Sequence, residues 1–592
     1  MVMKFLFLFF FISPFFISSQ IKLDYNINWT VTDVIIRNQK FSISSDSSIF
    51  FEGVKPIFAS QVMIESNNLS YSIGISSCST FPAPDFDKAY LSNMGVNVPT
   101  QLEYRLKKVS NGSNSFLKIV FFPYIMKNGQ LHSVSFVSFL INSHSTPSKR
   151  STKFVSKSVL NTSNATFYKI NVSKDGFYKV LGSDFLNMGI SLKDIDTSMI
   201  HIFGNGIGML PEKNDVFRPD DLIQNAIQFE GLEDGVFDPS DYVYFYAKGP
   251  DNWINKGSGF FRNTHIYSSF SSYFICVSNE FIMKKITKVS QTSAFNKSSS
   301  SYNYYVSHEL DELSLLKSGQ RWYGELFDYN LTKSYSFQLP SPSLNNIEFD
   351  IAFASNVKKK GSKLDLSINS KLASSYFIPI NSSEFLRNEL SFSHLLSETR
   401  INLLLDFKRL LPSELLYLDF ITINAKCENQ YPNDQYSFRD LAVAGIGNVT
   451  QFKIKSTNPS LLIYDVTNQY SPKNISLSHD LISASYLFSY PTDSVIEFAV
   501  LSKDKLMTPT FVGSVASQNL HGLDYAQLII ITPDEFIIEA NRLASIHSQL
   551  GDKVHVVTPL QIYNEFSSGM LDPTAIKFFI KMFYDRFNNQ AD

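Results

Sequence analysis

Only three cysteines occur in 592 residues, Cys78, Cys276 and Cys427. They stand far apart and in no metal-ligand spacing, so at most one disulfide is possible and a disulfide framework is excluded. Histidine is also sparse, and its 10 copies form no ligand pair at helical or hairpin spacing, which argues against a zinc site. Excess charge of either sign is lacking: 52 Lys and Arg against 54 Asp and Glu leave a net charge of -2 and a pI of about 6.6. That balance gives no steering toward nucleic acid. Beyond the first twenty residues no apolar run is long enough to span a bilayer as a helix, and no repeat of fixed period occurs. Without these supports the chain must rely on large hydrophobic cores, and its length allows about four domains, each with its own core. A hydrophobic fraction of 44% and an aromatic fraction of 14%, with 53 Phe and 29 Tyr, suit a well-packed β-rich protein and exclude global disorder.

The start of the chain, MVMKFLFLFFFISPFFISSQ, has Lys4 as a minimal positive region, an apolar stretch from Phe5 to about Ile17, and small residues at Ser18 and Ser19. This reads as a signal peptide over residues 1–19, so the mature protein is expected to be exported. Residues 20–142 then read as an N-terminal β domain. Its clearest strands are Phe116 to Phe122 and His132 to Asn142, with a hairpin turn at Asn128-Gly129. A Ser/Thr/Lys-rich linker is expected over 143–164. A β-rich domain with acidic loops follows over 165–300, in which Phe167 to Val172 and Gly176 to Val180 are expected to form a hairpin. A short helix is read over Ser183 to Met188 and a strand over Met199 to Phe203. Residues 301–505 read as a β-sandwich region, preceded by a break at Thr287 to Ser301 and opened by a short helical piece around Leu310 to Leu316.

Three features within these domains invite a chemical reading. Gly204-Asn205-Gly206-Ile207-Gly208 follows a strand, as a phosphate-cradling loop would. Pro211 and charged residues succeed it, however, with no amphipathic helix and no P-loop Lys and Ser/Thr pair. A tight structural turn is therefore expected. The acidic run holding Asp220, Asp221, Glu230, Glu233, Asp234, Asp238 and Asp241 offers oxygen ligands for calcium, but at spacings unlike an EF-hand loop. Solvated turns are the plainer reading. Cys276 sits in the strand-like Tyr273 to Val277 and is expected to be buried and inert. His521, in Asn519-Leu520-His521-Gly522, could serve as a base but precedes the first strand of the next domain, where a capping or packing role is expected. No residue is assigned as catalytic, cofactor-binding or metal-binding, and no cofactor is expected.

Residues 506–592 change character. Gln527 to Thr532 is a short apolar run suited to a buried strand of a parallel sheet. Thr532, Pro533 and Glu535 spell a capping box for a helix that carries Phe536, Ala540, Leu543, Ala544 and Leu550 on one face and ends at Gly551. Lys553 to Thr558 is a second strand. Thr558-Pro559-Leu560-Gln561 repeats the cap for a helix to about Phe566, and Asp572-Pro573 starts a third with Ile576, Phe579, Ile580, Phe583 and Phe587 along one side. Such a stripe is buried when the chain returns to a further parallel strand. None follows before Asp592, so the segment reads as the N-terminal part of an α/β domain. The fold class is therefore multidomain and mainly β, with β-sandwich-like modules followed by the opening of an α/β domain.

Several segments resemble the gingipain-type cysteine peptidases, and within them the sortase branch of bacterial type IX secretion. They are Asn519-Leu520-His521-Gly522, LIIITPDEF (Leu528 to Phe536) and VVTPLQIYNEFSSGMLDPTAIKFF (Val556 to Phe579). Upstream, in the same order, stand FYKINVSKDGFYKV (Phe167 to Val180), IFGNGIGMLPE (Ile202 to Glu212), DDLIQNAI (Asp220 to Ile227), EDGVFDPSDYVYFYAKGPDNW (Glu233 to Trp253), SGQRWYGE (Ser318 to Glu325) and YDVTN (Tyr464 to Asn468). The resemblance implies a caspase-like (gingipain) α/β domain with a Cys nucleophile and a His base on loops after later strands. No residue of this sequence matches those motifs, so the chain is expected to be an N-terminal fragment. It further implies an enzyme that cleaves C-terminal sorting domains from secreted cargo and transfers the cargo to an amine on anionic lipopolysaccharide. Implied partners are the cargo, type IX outer-membrane components and the lipopolysaccharide, without nucleic acid, at the outer-membrane surface. A non-catalytic exported scaffold and a hydrolytic gingipain-like protease are the alternatives.

Overall fold

The computed structural model describes residues 20–587 apart from 37–38, 47, 53–54, 65–68, 112–113, 146–153, 164, 256–258, 292–293, 316, 318, 320, 343–344, 382–383 and 397. The signal-peptide reading and the middle of the expected linker lie outside the described residues. The chain is mainly β and divides into two compact units, Met1–Lys153 and Phe154–Asp592.

In the first unit the long strand Gln130–Ser145 pairs with Gln20–Asn26 on one side and Leu69–Pro82 on the other. A second sheet holds Asn114–Phe121 between Lys55–Ile64 and Tyr104–Asn111. Phe58, Ile119 and Phe121 of that sheet meet Val137, Phe139 and Ile141 of the first in one core, so this is a two-layer β domain. Asn128 (φ 50°) and Gly129 (φ 76°) take the two left-handed positions of the tight hairpin turn that the Asn-Gly pair announces.

The second unit opens with a five-stranded sheet in the order Gln224–Asn225, Ile200–Phe203, Ser271–Val277, Phe167–Val172, Thr510–Val515. The hairpin expected between Phe167–Val172 and Gly176–Val180 does not form; the second strand runs over Gly176–Leu181. The first pairs with Ser271–Val277 and the second with Tyr242–Ala247, in different layers. Ser173, Lys174 and Asp175 carry the chain across, so Ile170 and Val172 face Tyr178 and Val180 through a shared core. Burying both apolar faces against each other wins over pairing the two edges.

Two β sandwiches follow with one continuous core, running from Ile351 and Leu405 to Phe452 and Phe498. The stretch read as a break adds two short strands to them: Thr287–Val289 joins Lys473–Ile475 and Lys297–Ser299 joins Val449–Lys455, both in parallel. Over its described residues, 310–315, the helix expected around Leu310 to Leu316 is not formed. Leu313 exchanges both backbone hydrogen bonds with Tyr323, at 2.9 and 2.8 Å, and so short a stretch nucleates a helix poorly. The end of the expected linker, from Phe154, is packed into this unit: Phe154 and Leu160 are buried, and the Val159 N–H donates to Asp221 at 2.6 Å.

Candidate functional site

Residues 520–587 form the α/β element. Leu528–Ile531 and Val554–Val557 pair in parallel, Leu528 beside Val554 through Ile531 beside Val557. The helix Pro559–Phe566 begins as its sequence dictates: the Gln561 N–H donates to Thr558 Oγ1 (3.3 Å), the Thr558 N–H donates to Gln561 Oε1 (2.9 Å), and Pro559 fills the first turn. Asp572 starts the last helix, Thr574–Phe587, by accepting the Thr574 N–H at 2.9 Å. The first helix departs from expectation. Pro533 stays extended (ψ 160°), Asp534–Phe536 makes a tight 3₁₀ turn, and Ile537–Gln549 follows without a side-chain cap. The Thr532 hydroxyl donates to Pro533 O instead.

Burial also differs from the expected stripes. Leu528–Ile531 is half-buried rather than fully buried. Of the face expected on the first helix only Ala540 is buried, while Phe536 and Leu550 are 63% and 77% exposed. On the last helix the core face is Ala575, Phe578, Phe579, Met582 and Phe583, with Ile576 and Phe587 at its margin, and Ile580 turns outward. The face is rotated because the Phe154 segment and the helix Pro559–Phe566 supply its partners, alongside the strand pair.

His521 is fully buried, and its surroundings give it a definite task. Its Nδ1 lies 2.6 Å from Glu565 Oε2. The same carboxylate accepts the Leu520 N–H (2.8 Å), the His521 N–H (3.1 Å) and Gln518 Nε2 (2.9 Å). The imidazole stacks on Phe566 with ring centres 4.4 Å apart. Its Nε2 stands 3.7 Å from Asp220 Oδ1, an ion-pair distance rather than a hydrogen bond. Burial opposes charging the ring, but the carboxylates of Asp220, Glu565 and Asp221 outweigh it and raise its pKa to about 9. Burial pushes the Asp221 carboxyl up to about 6, against the pull of His521 and of the Val159 and Leu222 N–H groups. Arg586 adds hydrogen bonds to His521 O (2.7 Å) and Val155 O (2.6 Å). A cationic histidine thus pins the 154–160 segment, the acidic segment and the α/β element together. The packing role expected for His521 is found; its partners Asp220, Asp221 and Glu565, up to 301 positions away, carry no local signal.

The glycine loop is the tight turn its context implies. A Cβ on Gly204 or Gly206 would come within 2.4 Å of Tyr273, and Gly206 sits at φ 51°. The Asn205 N–H donates to Ser568 Oγ (3.0 Å) and the Leu210 N–H to Asp572 Oδ2 (2.8 Å), so this loop seats the one between the last two helices. The acidic side chains are occupied in turns: Asp241 accepts the Asp238 N–H and Asp234 the Val236 N–H, while Asp220 and Asp221 belong to the His521 cluster. Among the described residues no group of three or more His, Cys, Asp or Glu is placed to hold a metal ion.

The cysteines are free thiols: Cys78 is exposed, and Cys276 and Cys427 are buried. Strand register sets Cys276 beside His201, a neighbour the sequence did not reveal. The pair is inert. Both His201 nitrogens are engaged, with Ser278 O at 2.9 Å and Gln224 Nε2 at 3.1 Å, and burial pushes the Cys276 thiol up to about 12. Burial raises Cys427 to about 12 as well.

Ligands of parallel sheets bind at the carboxyl ends of the strands. Here Thr558 follows one strand end, and a groove of about 300 Å³ runs from it between the helix Pro559–Phe566 and the strand Thr510–Val515, with Lys169 in its lining. Lys169 Nζ donates to Gly569 O at 2.6 Å, and burial lowers its pKa to about 8.

Residues 522–592 match the family model described as Peptidase family C25. No curated protein sequence matches the chain. Among solved structures, dimeric latent PorU from Porphyromonas gingivalis is similar at a TM-score of 0.65 and 24% identity over 74% of this chain and 41% of the PorU chain, a likeness of fold. Gingipain K from Porphyromonas gingivalis, in a study of its zymogenic latency, overlaps 21% of this chain and 86% of its own at 9% identity and a TM-score of 0.18. The complex of Porphyromonas gingivalis RgpB pro- and mature domains overlaps 21% of this chain and 78% of its own at 10% identity and 0.15. These two overlaps are too weak to build on. The chain spans less than half the length of the PorU chain it matches.

Proposed function

We propose, from the membership of residues 522–592 in peptidase family C25 and a PorU-like fold over 74% of the chain, that these modules carry and position the catalytic domain of a cysteine endopeptidase. The observation that bears most weight is the α/β element itself. Its two parallel strands end beside an open groove, and its base is clamped to the upstream β module through His521, Glu565 and the Ser568 to Asp572 loop. A domain so held presents its strand ends in a fixed orientation. None of Cys78, Cys276 or Cys427 has the paired, partly exposed setting a thiolate nucleophile requires. The nucleophile and its base are therefore assigned to the part of the PorU length that this chain does not span.

In its finer form the proposal is a sortase of type IX secretion at the outer-membrane surface, reached by export through the signal peptide. The thiolate attacks the carbonyl joining cargo to its C-terminal sorting domain. The C–N bond breaks, the sorting domain leaves with a new amino terminus, and cargo remains as a thioester. An amine of anionic lipopolysaccharide then attacks the thioester, forming an amide and returning the thiol. The resemblance of upstream segments such as IFGNGIGMLPE and EDGVFDPSDYVYFYAKGPDNW to the sortase branch supports this form over a soluble protease. The test is mass spectrometry of cargo processed by the full-length gene product with an amine acceptor supplied. An amide at the new cargo C-terminus is expected. A free carboxylate alone would replace transfer by hydrolysis, and unprocessed cargo would favour the scaffold reading.

A further inference from the structure

The strand Thr510–Val515 closes one side of the five-stranded sheet, pairing with Phe167–Val172. Among the described residues its outer edge pairs with nothing. Sheet edges left open are usually blunted by Lys, Pro, an inward charge or a bulge. This one reads Thr-Phe-Val-Gly-Ser-Val, with no charge and no proline; its one irregularity is a bulge at Val512, between Phe511 opposite Ile170 and Gly513 opposite Lys169, and Phe511 and Val512 are about half exposed. Val512 to Val515 of this strand line the groove whose other wall is the helix Pro559–Phe566.

Two polar groups in that groove lack the partners their burial would demand. Lys169 belongs to no ion pair among the described residues and donates only to Gly569 O. Asn564 is 4% exposed, and its Oδ1 accepts no hydrogen bond, while its Nδ2 makes a long contact to Gln518 at 3.4 Å. An ammonium calls for an anion and an amide oxygen for an N–H donor. A polypeptide strand bearing a carboxylate supplies both.

The geometry points to an extended peptide as the occupant: it adds as a sixth strand along Thr510–Val515, gives a backbone N–H to Asn564 and sets an Asp or Glu side chain on Lys169. Backbone pairing provides sequence-tolerant affinity, and the single ammonium provides selectivity, as in strand-addition recognition generally. The burial that lowers the Lys169 pKa to about 8 fits an ammonium waiting for a counter-charge. Because Asp534 and Thr558, which stand just past the ends of the two parallel strands, both line the groove, such a peptide lies beside the strand ends, and Asp534, which forms no ion pair with Lys169, is the groove's own negative charge. This inference thus rests on the peptidase reading for its role in delivering substrate, though not for the binding itself.

The test uses the whole chain and two fluorescein-labelled hexapeptides, Thr-Val-Asp-Val-Thr-Val and the same sequence with Asn for Asp. Fluorescence anisotropy reads affinity, and hydrogen exchange reads the amides of residues 510–515. The Asp peptide should bind tighter by on the order of tenfold and protect those amides. Lys169→Met should abolish the preference while retaining the Asn peptide's affinity, and Lys169→Arg should keep it. Equal affinity of the two peptides for the unaltered chain would overturn the inference. So would edge amides already protected without peptide, which would assign the edge to another segment or a second copy. Binding is read without cleavage, so its failure leaves the peptidase reading standing, and a failure of cleavage leaves this one standing.

Discussion

Raising the pH should loosen the α/β element from its β module, and the His521 cluster sets the size of the effect. The ring's pKa is about 9 in the folded protein against 6.5 for an unperturbed histidine. A group with a raised folded pKa contributes stability that is full below its unfolded value and is lost as pH rises through the folded one. Between about pH 6 and about pH 9.5 the loss amounts to roughly 200-fold in the closing equilibrium, about 3 kcal/mol. Asp221 works in the same direction but earlier, since its raised pKa of about 6 makes its contribution fall away by near-neutral pH. The readout is hydrogen exchange of the Leu520 and His521 amides, both of which donate to Glu565. After correction for intrinsic exchange, their protection should drop about 200-fold over that interval, with the sandwich strand Leu416–Glu428 as an internal reference. His521→Gln should remove the pH dependence and lower protection most at the acidic end of the interval, where Glu565 loses its cationic partner. Protection that stays constant across the interval, or a drop that persists in His521→Gln, would refute the reasoning.

Other expectations follow from the same geometry. Phe579 is fully buried between Phe566 and Phe583, with ring centres 5.6 and 5.3 Å away; Phe579→Ala should cost about 3–5 kcal/mol in local stability, whereas Ile580→Ser, on the outer side, should stay within about 0.5 kcal/mol, as read by the same exchange experiment. Thr558→Ala should cost about 1 kcal/mol through its lost cap, and Thr532→Ala should cost little, because Thr532 caps no helix. In native protein, a thiol reagent should label Cys78 while Cys276 and Cys427 react only on unfolding.

What the sequence disclosed was whatever depends on near neighbours. Thr558, Pro559 and Gln561 lie within one turn, and their cap is found as read; Asn128-Gly129 likewise needs only its own two φ angles. Thr532 carries the same letters but fails, since the extended Pro533 moves the helix start downstream. The hairpin between Phe167–Val172 and Gly176–Val180 failed for a different reason: adjacency in sequence suggests pairing, while the apolar faces of both strands are better buried across layers.

The site was hardest to read because it is built from long separations on one short helix. Pro559–Phe566 buries Ile562, Asn564, Glu565 and Phe566, so no single apolar stripe marks it and helical periodicity says nothing of Glu565 or Asn564. Their roles become visible only when the chain brings up residues 518–521 from 44 to 47 positions away and Lys169 from the first strand of the module. Gln518 then joins the two halves. Its Nε2 donates to Gln561 O and Glu565 Oε1, and its Oε1 accepts from Asn564. The helix that holds the cationic histidine is therefore also the wall of the groove, and one amide side chain connects them. Titrating His521 should accordingly be felt by a peptide in the groove: affinity for the Asp hexapeptide should fall in the native chain above about pH 8 as Lys169 loses its proton and further above about pH 9 as His521 does, Lys169→Arg removing the first fall and His521→Gln the second.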